Sequence, residues 1–390
     1  MISNKIFLII LFSLIYIPSL FVLFMCFLFI INIKQNSDLE SSVKYQINNN
    51  SIYNKANMNT FQYKLELLRI IKPKVLALGS SRVMQFREES FNTTFITAGG
   101  AMNHLNEGLL FLKKMIKFHK PELIIIGLDF WWFNQNFNQP EKFKHEYEEK
   151  FKLVDEIHNV LAKFKNNSLN FETLMYGLKK ENNLTNYENI GLNSIKYSNG
   201  FRKDGSYQYS SFILGDEKNS DINFSNTFNR IENGNSRFEY GNNLSEERVK
   251  IFKDIIKFTQ ENNIKLILVI PPLANEVIQK MDNFRDKYNF VNEFRKLIKN
   301  SNIEYYDFHD MRDYYKNSCE FVDGFHGGDV TYQRILKKMY DENSILSKYL
   351  NIESIKKSID ENVGKTLTIF DKNKYKKHKE HDYLELGCIK

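Results

Sequence analysis

The sequence predicts an α/β chain: one three-layer α/β/α domain on a parallel sheet of about five strands, preceded by an apolar helix and interrupted by a long insertion. Three observations carry this. Short, strongly apolar runs of the kind that form buried parallel strands recur along the chain. Amphipathic helical patterns fall between most of them, and alternating strands and helices leave few solutions other than right-handed crossovers covering both faces of a sheet. With 390 residues, 42% hydrophobic and 26% charged, the chain is long enough to bury such a core and fits neither a disordered nor a disulfide-stapled class.

In chain order, residues 6–33 run without a charge, the length of a tilted bilayer-spanning helix and longer than a signal-peptide core. Pro18 is tolerable in such a helix, and no small-residue cleavage site lies beyond it, so an uncleaved anchor is expected. Lys5 precedes the run, while Asp38 and Glu40 come after it; this places the N-terminus inside and the bulk of the chain outside the cytoplasm. The expected organisation is a stub and transmembrane anchor at 1–34, a linker at 35–60 rich in Asn, Ser and Gln, the α/β/α domain at 61–350, and a basic tail at 351–390.

Strands are expected at Val75–Leu78, Phe95–Thr97, Leu123–Leu128, Ile264–Ile270 and Ile303–Phe308. Leu105, Leu109, Leu110, Leu112 and Met115 share one helical face within 104–118. Ser245 before Glu246 and Glu247 reads as an N-cap with an acidic first turn, opening a helix that runs to about Glu261 and stops at Asn262–Asn263. The insertion, 134–243, is Asn- and aromatic-rich, with one clear helical segment near 154–164, and reads as a lid or small subdomain. Its segment Asn199 to Ser206 reads as a tight turn, either near substrate or, the preferred reading, an ordinary surface turn.

The net charge of +7 comes from scattered lysines and a Lys-rich stretch at 372–379; without a nucleic-acid motif it indicates a basic surface beside anionic lipid, not a nucleic-acid partner. Of three cysteines, Cys26 lies in the apolar run, and Cys319 and Cys388 are left as a pair or as two free thiols.

Ligands of open parallel sheets sit at the carboxyl ends of the strands, so the residues just beyond each strand matter most. After the first strand comes Gly79-Ser80-Ser81-Arg82, a turn that presents a hydroxyl beside the N–H groups of the next helix; a capping serine would look the same. A serine attacks only when a base removes its proton and a third group orients that base. Asp323 and His326 supply such a couple at a turn beyond the last strand, and His326 is preferred to His309, which lies between Asp307 and Asp310. No metal-ligand spacing is present and no cofactor is expected. Trp131, Trp132 and Phe133 either stack on sugar at a pocket rim or pack in the core.

In this order, LALGSSR, ITAGG, IIIGLDF and VDGFHGG resemble blocks I, II, III and V of the SGNH/GDSL hydrolases, over about residues 74–334 with the insertion largely unmatched. The apolar N-terminal helix narrows the resemblance to the membrane-anchored branch that acylates envelope glycans, such as D-alanyl transfer proteins of lipoteichoic acid synthesis and alginate O-acetylation proteins. The resemblance implies a flavodoxin-like sheet, Ser81 as nucleophile, Asp323 with His326 as its charge partners, and Gly99 as an oxyanion-binding glycine. Ser80 stands where the founding pattern has Asp. Asp129 occupies the place of the block III asparagine, and a carboxylate donates only when protonated. The expected oxyanion hole therefore rests on the N–H groups of Ser81 and of Gly99 or Gly100, or on the Asn134 or Asn103 side chain. The implied activity is ester hydrolysis or O-acyl transfer on an envelope glycan or other acylated carbohydrate, beside a multi-spanning membrane acyltransferase. The alternative is a non-catalytic scaffold with the same fold.

Overall fold

The computed structural model describes residues 4–35, 39–55, 58–138, 198–213, 221–314, 318–368 and 382–388, with isolated positions between 165 and 194. Five parallel strands form the central sheet: β1 (Val75–Gly79), β2 (Phe95–Gly99), β3 (Leu123–Gly127), and, after a two-stranded hairpin of β4 (Gly200–Phe201) and β5 (Tyr207–Gln208), β6 (Lys265–Ile270) and β7 (Glu304–Asp307). The sheet order is β2-β1-β3-β6-β7. The chain therefore reverses its winding between β1 and β3, the switch point beside which open α/β sheets bind their ligands.

Every residue of β1, β2 and β3 is buried, which explains why these strands read as continuous apolar runs with no alternation. Alternate side chains feed two separate cores. Leu76, Leu78, Ile96, Ile124, Ile126 and Leu268 belong to one, together with helices α3 (Thr60–Ile71), α4 (Leu105–Met115), α6 (Glu246–Glu261), α7 (Asn275–Asp282) and α8 (Asn289–Lys299). Val75, Ala77, Ile125, Ile267 and Val269 belong to the other, under α9 (Asp329–Asp341) and α10 (Ile352–Glu361). Two cores on opposite faces of one sheet are consistent with a three-layer α/β/α arrangement. At about 1.5–3 kcal/mol for each buried Leu or Ile, these two faces are what hold the sheet.

Ser245 stands at the N-cap of α6, although its side chain makes no capping hydrogen bond, and the helix ends at Glu261 as its sequence predicts. The helix expected near 154–164 lies outside the described residues.

Three expectations are corrected. The linker is not a bare spacer: α2 (Leu39–Asn49) buries Val43 and Gln46, and Gln46 donates to the Phe201 carbonyl at 2.8 Å and accepts from the Tyr63 hydroxyl at 2.8 Å. Polar composition concealed this because the packing is made by an amide side chain and by backbone pairing of Tyr53 with Phe201. The turn between β4 and β5 is not at the surface. Arg202 and Asp204 are buried, Asp204 accepts from the Ser206 amide and hydroxyl and from the Glu88 amide, and Arg87 pairs with Asp329 at 3.0 Å beside it. Nor is all of 351–390 a solvated tail: α10 packs on the second core, and Tyr383 and Leu384 are buried.

Two further helices are α1 (Asn4–Gln35), which contains the apolar run, and the short α5 (Ser225–Asn233). In α1 the longest continuous stretch with described side chains is 9–24, and all of it is exposed. Among the described residues no helix is long and apolar enough to cross a membrane; the side chains at 7, 8 and 25–35 of the expected span lie outside them.

Candidate active site

The chain leaves β1 at Gly79 and turns at once. A Cβ on Gly79 would lie 2.9 Å from Val83 Cγ2 and 3.1 Å from the Gly127 carbonyl, so only glycine lets the turn fold back over the strand ends. Ser80 caps the turn by accepting from the Arg82 amide at 3.2 Å, and Ser81 opens a single 3-10 turn that ends at Val83. The serine that caps and the serine that faces outward are thus different residues.

The facing loop lies beyond β7 and is closed on itself: the Val322 amide donates to the His326 carbonyl at 2.7 Å, and Phe321 bridges to Gly327. Inside it Asp323 Oδ1 accepts from the Phe325 and His326 amides at 3.0 and 2.8 Å, while Oδ2 lies 2.7 Å from His326 Nδ1. His326 Nε2 lies 2.7 Å from Ser81 Oγ. Burial would raise the Asp323 carboxyl, but the adjacent imidazole and these hydrogen bonds outweigh it and hold the group below the ordinary carboxylate range. An ionised carboxylate only accepts, so Nδ1 must carry the imidazole proton and Nε2 is left to accept from the serine hydroxyl.

Asp221, from the insertion, accepts from the Gly324 amide at 2.8 Å, and the Ala274 amide donates to the Gly324 carbonyl. The loop is therefore fixed from two sides.

Arg82 plays a part that the sequence pattern did not reveal. It is 1% exposed, and its guanidinium donates to the Phe325 carbonyl at 2.9 Å, Asp129 Oδ1 at 3.1 Å, and the Pro271 and Pro272 carbonyls at 2.7 and 2.6 Å. It joins the ends of β1, β3 and β6 to the loop that carries His326. Its sequence signal was its place directly after Ser81, where a side chain at the mouth of the sheet reaches all the neighbouring strand ends.

This pairing also corrects the reading of Asp129. Burial pushes its carboxyl above the ordinary range, with Arg82 and the Ser80 hydroxyl opposing, and its Oδ1 is an acceptor for Arg82. Asp129 is thus paired with Arg82 through Oδ1, while its Oδ2 is buried without a hydrogen-bond partner among the described residues.

The other oxyanion candidates are likewise occupied. The Gly99 amide donates to Thr97 Oγ1 at 3.1 Å and the Gly100 amide to the Gly79 carbonyl at 2.9 Å. Asn134 is fully buried, donating to the Glu239 carbonyl at 2.6 Å and accepting from the Asn136 amide, so it braces the insertion. Asn103 donates through its side chain to the Gly100 carbonyl at 3.2 Å. The Ser81 amide, first in its turn, has no acceptor among the described residues, as helix geometry dictates. Tyr209, just beyond the insertion hairpin, has its ring 6.3 Å from that of His326 and donates through its hydroxyl to Met84 Sδ at 3.9 Å, a weak acceptor. Burial raises the Tyr209 phenol well above its usual value, so it is a neutral donor.

Trp131 is buried rather than at a rim, with Arg82 5.3 Å and Arg237 5.7 Å from its ring, and Trp132 and Phe133 are fully buried core residues. His309 is buried against Phe130 and is pushed down to about 4, chiefly by burial, which keeps it neutral. It has no contact with Ser81 among the hydrogen bonds of the described residues. Among those residues the one grouping of metal-ligand types is Cys319, Asp382 and Cys388, and its two sulfurs are joined to each other as a disulfide.

No family model, curated protein or solved structure matches this chain.

Proposed function

We propose that this chain is a serine esterase or O-acyltransferase of the SGNH/GDSL type, with Ser81 as nucleophile, His326 as base and Asp323 orienting it. The observation that carries the reading is the 2.7 Å approach of Ser81 Oγ to His326 Nε2 across 245 residues of sequence, with Asp323 2.7 Å behind the imidazole. Ser81 Oγ attacks the carbonyl carbon of an acyl ester while His326 Nε2 takes its proton. The tetrahedral oxyanion is held by the Ser81 amide. The carbon–oxygen bond to the alcohol then breaks, and the alcohol leaves with the proton from His326. Water or a glycan hydroxyl attacks the acyl-serine, gives its proton to His326, and releases Ser81.

The domain is held at a membrane by α1, whose described side chains from Ile9 to Phe24 are exposed apolar groups on every side of the helix, a pattern stable only against lipid or another apolar partner. With the domain outside the cytoplasm, the acceptor class is an envelope glycan and the acyl supply a multi-spanning membrane acyltransferase, as the family resemblance implies. A non-catalytic scaffold is the rival, favoured by the engaged amides of Gly99 and Gly100.

A fluorophosphonate separates the two. Wild type should be labelled and Ser81→Ala should not; hydrolysis of a small acetyl ester should fall at least ~10³-fold in His326→Ala and far less in His309→Ala. A correctly folded wild type that resists labelling would leave only the scaffold.

A further inference from the structure

Arg237 packs on Phe325, the residue before His326, with an unused charge. Its guanidinium sits 5.4 Å from the Phe325 ring and 5.7 Å from the Trp131 ring, and the Phe325 ring is 4.4 Å from that of His326. Its field reaches Asp129, Tyr209 and His104. No hydrogen bond or ion pair engages the guanidinium among the described residues, and Asp129, a carboxylate its field reaches, is already paired with Arg82. Arg230, on the same Phe325 ring at 5.3 Å, has its Nε–H committed to Asn226.

The backbone supports a dedicated placement. Ser236 and Arg237 both have left-handed conformations, with φ of +52° and +85°, a region that residues with a Cβ avoid and that persists only where the surroundings impose it. The surroundings do so here: the Arg237 amide donates to both oxygens of Glu239 at 3.2 and 3.1 Å, and the next residue, Phe238, is fully buried against Phe325 and Phe130. Two aromatic rings contact the guanidinium without consuming its N–H donors, leaving the planar fork that binds a carboxylate or phosphate through paired hydrogen bonds.

We infer that Arg237 is an anion-binding residue of the substrate site, and that the acyl donor or acceptor handled by Ser81 carries a carboxylate or phosphate. The inference rests on the proposed reading of Ser81 and narrows its substrate class. A neutral ester would leave a half-buried cation and a strained loop without use on the ring of Phe325.

The chain has two tryptophans, at 131 and 132, so intrinsic fluorescence reports on this place alone. Titration of the full chain with inorganic phosphate, and separately with glucuronate, should give a saturable change with at least one of them. That anion should also slow fluorophosphonate labelling of Ser81. Both responses should weaken at least tenfold in Arg237→Gln, and Arg237→Lys, which keeps the charge but not the fork, should fall between. The stronger of the two anions identifies phosphate or sugar carboxylate as the natural group. No saturable response to either anion, an unchanged response in Arg237→Gln, or labelling indifferent to a saturating anion would each overturn the inference. Should wild type bind the anion yet resist labelling altogether, the anion site stands and the serine chemistry falls.

Discussion

Trp131 has an arginine on either side, and the two lead opposite lives. Arg82, 5.3 Å from the indole, is sealed from solvent and has acceptors for Nε, Nη1 and Nη2, one of them a carboxylate. Arg237, 5.7 Å away, is half-buried, faces rings, and has no acceptor among the described residues. The same functional group becomes a strut where the fold answers its donors and a receptor where it leaves them open. Arg82 comes directly after Ser81 in sequence and holds the carbonyl of Phe325, the residue before His326, so it helps set the distance between Ser81 and His326. Arg237 comes from the insertion and packs on the ring of Phe325, the neighbour of His326.

The largest expected effect breaks the strut. Arg82→Met leaves the Asp129 carboxyl buried and without its partner, which should cost about 3–5 kcal/mol in urea unfolding. Arg82→Met combined with Asp129→Leu removes the orphaned carboxylate and should regain most of that loss, while ester hydrolysis stays impaired because the Phe325 carbonyl, beside His326, has lost its guanidinium donor. Arg237→Gln should move stability by less than about 1 kcal/mol. If Arg82→Met proved as mild as Arg237→Gln, or the double variant as unstable as the single, the contrast between the two arginines would be false.

Each arginine also presses on a different histidine, and acid sharpens the comparison. His309 is driven down to about 4 by burial first, with Arg295 and Arg82 adding to it and Asp307 opposing; His104 is driven down to about 4 by burial, then Arg248 and Arg237. The unfolded chain binds these protons near pH 6.5 and the folded chain does not, so folding is favoured fully above 6.5 and loses stability as pH falls toward 4. For the buried His309 this amounts to roughly 3 kcal/mol. Thermal melts of wild type between pH 7 and 4 should show the loss, and His309→Gln should remove about half of the slope. A slope unchanged in His309→Gln would mean that this imidazole is already protonated in the native state.

Much of this is legible in the sequence, for physical reasons that differ by region. The inner strands can be read because burial on both faces fills them with apolar residues, whereas β7, at the sheet edge, is half-buried and carries Glu304 and Asp307; Ser81, Asp323 and His326 can be read because reactive types at strand ends have few structural uses. The roles of Asp129 and Asn134 are not legible: a carboxylate or an amide at a strand end looks the same whether it faces substrate or an arginine from the neighbouring turn. The packing of α2 and of the β4–β5 turn is hidden for a related reason, since Gln46, Arg202 and Asp204 are polar in composition yet buried among hydrogen-bonding and charged partners. Arg237 leaves no mark in the sequence at all, because its significance lies in lacking partners.

The smallest effect tests whether the strain at Arg237 belongs to its task. Arg237→Gln and Arg237→Gly both remove the guanidinium and its ring contacts, so they differ only in the backbone. Glycine relieves a left-handed conformation worth about 1–2 kcal/mol in an L-residue and adds about 0.5–1 kcal/mol of unfolded-chain entropy. The Gly variant should therefore be the more stable of the two by about 0.5–1 kcal/mol in urea unfolding, with neither responding to phosphate or glucuronate. If Gln were the equal of Gly, the loop would hold φ +85° without cost, and the backbone would no longer count as a reason to assign Arg237 a ligand. If Gly is the more stable, the fold gives up stability to keep a cation in that place, which a purely structural residue gives it no cause to do.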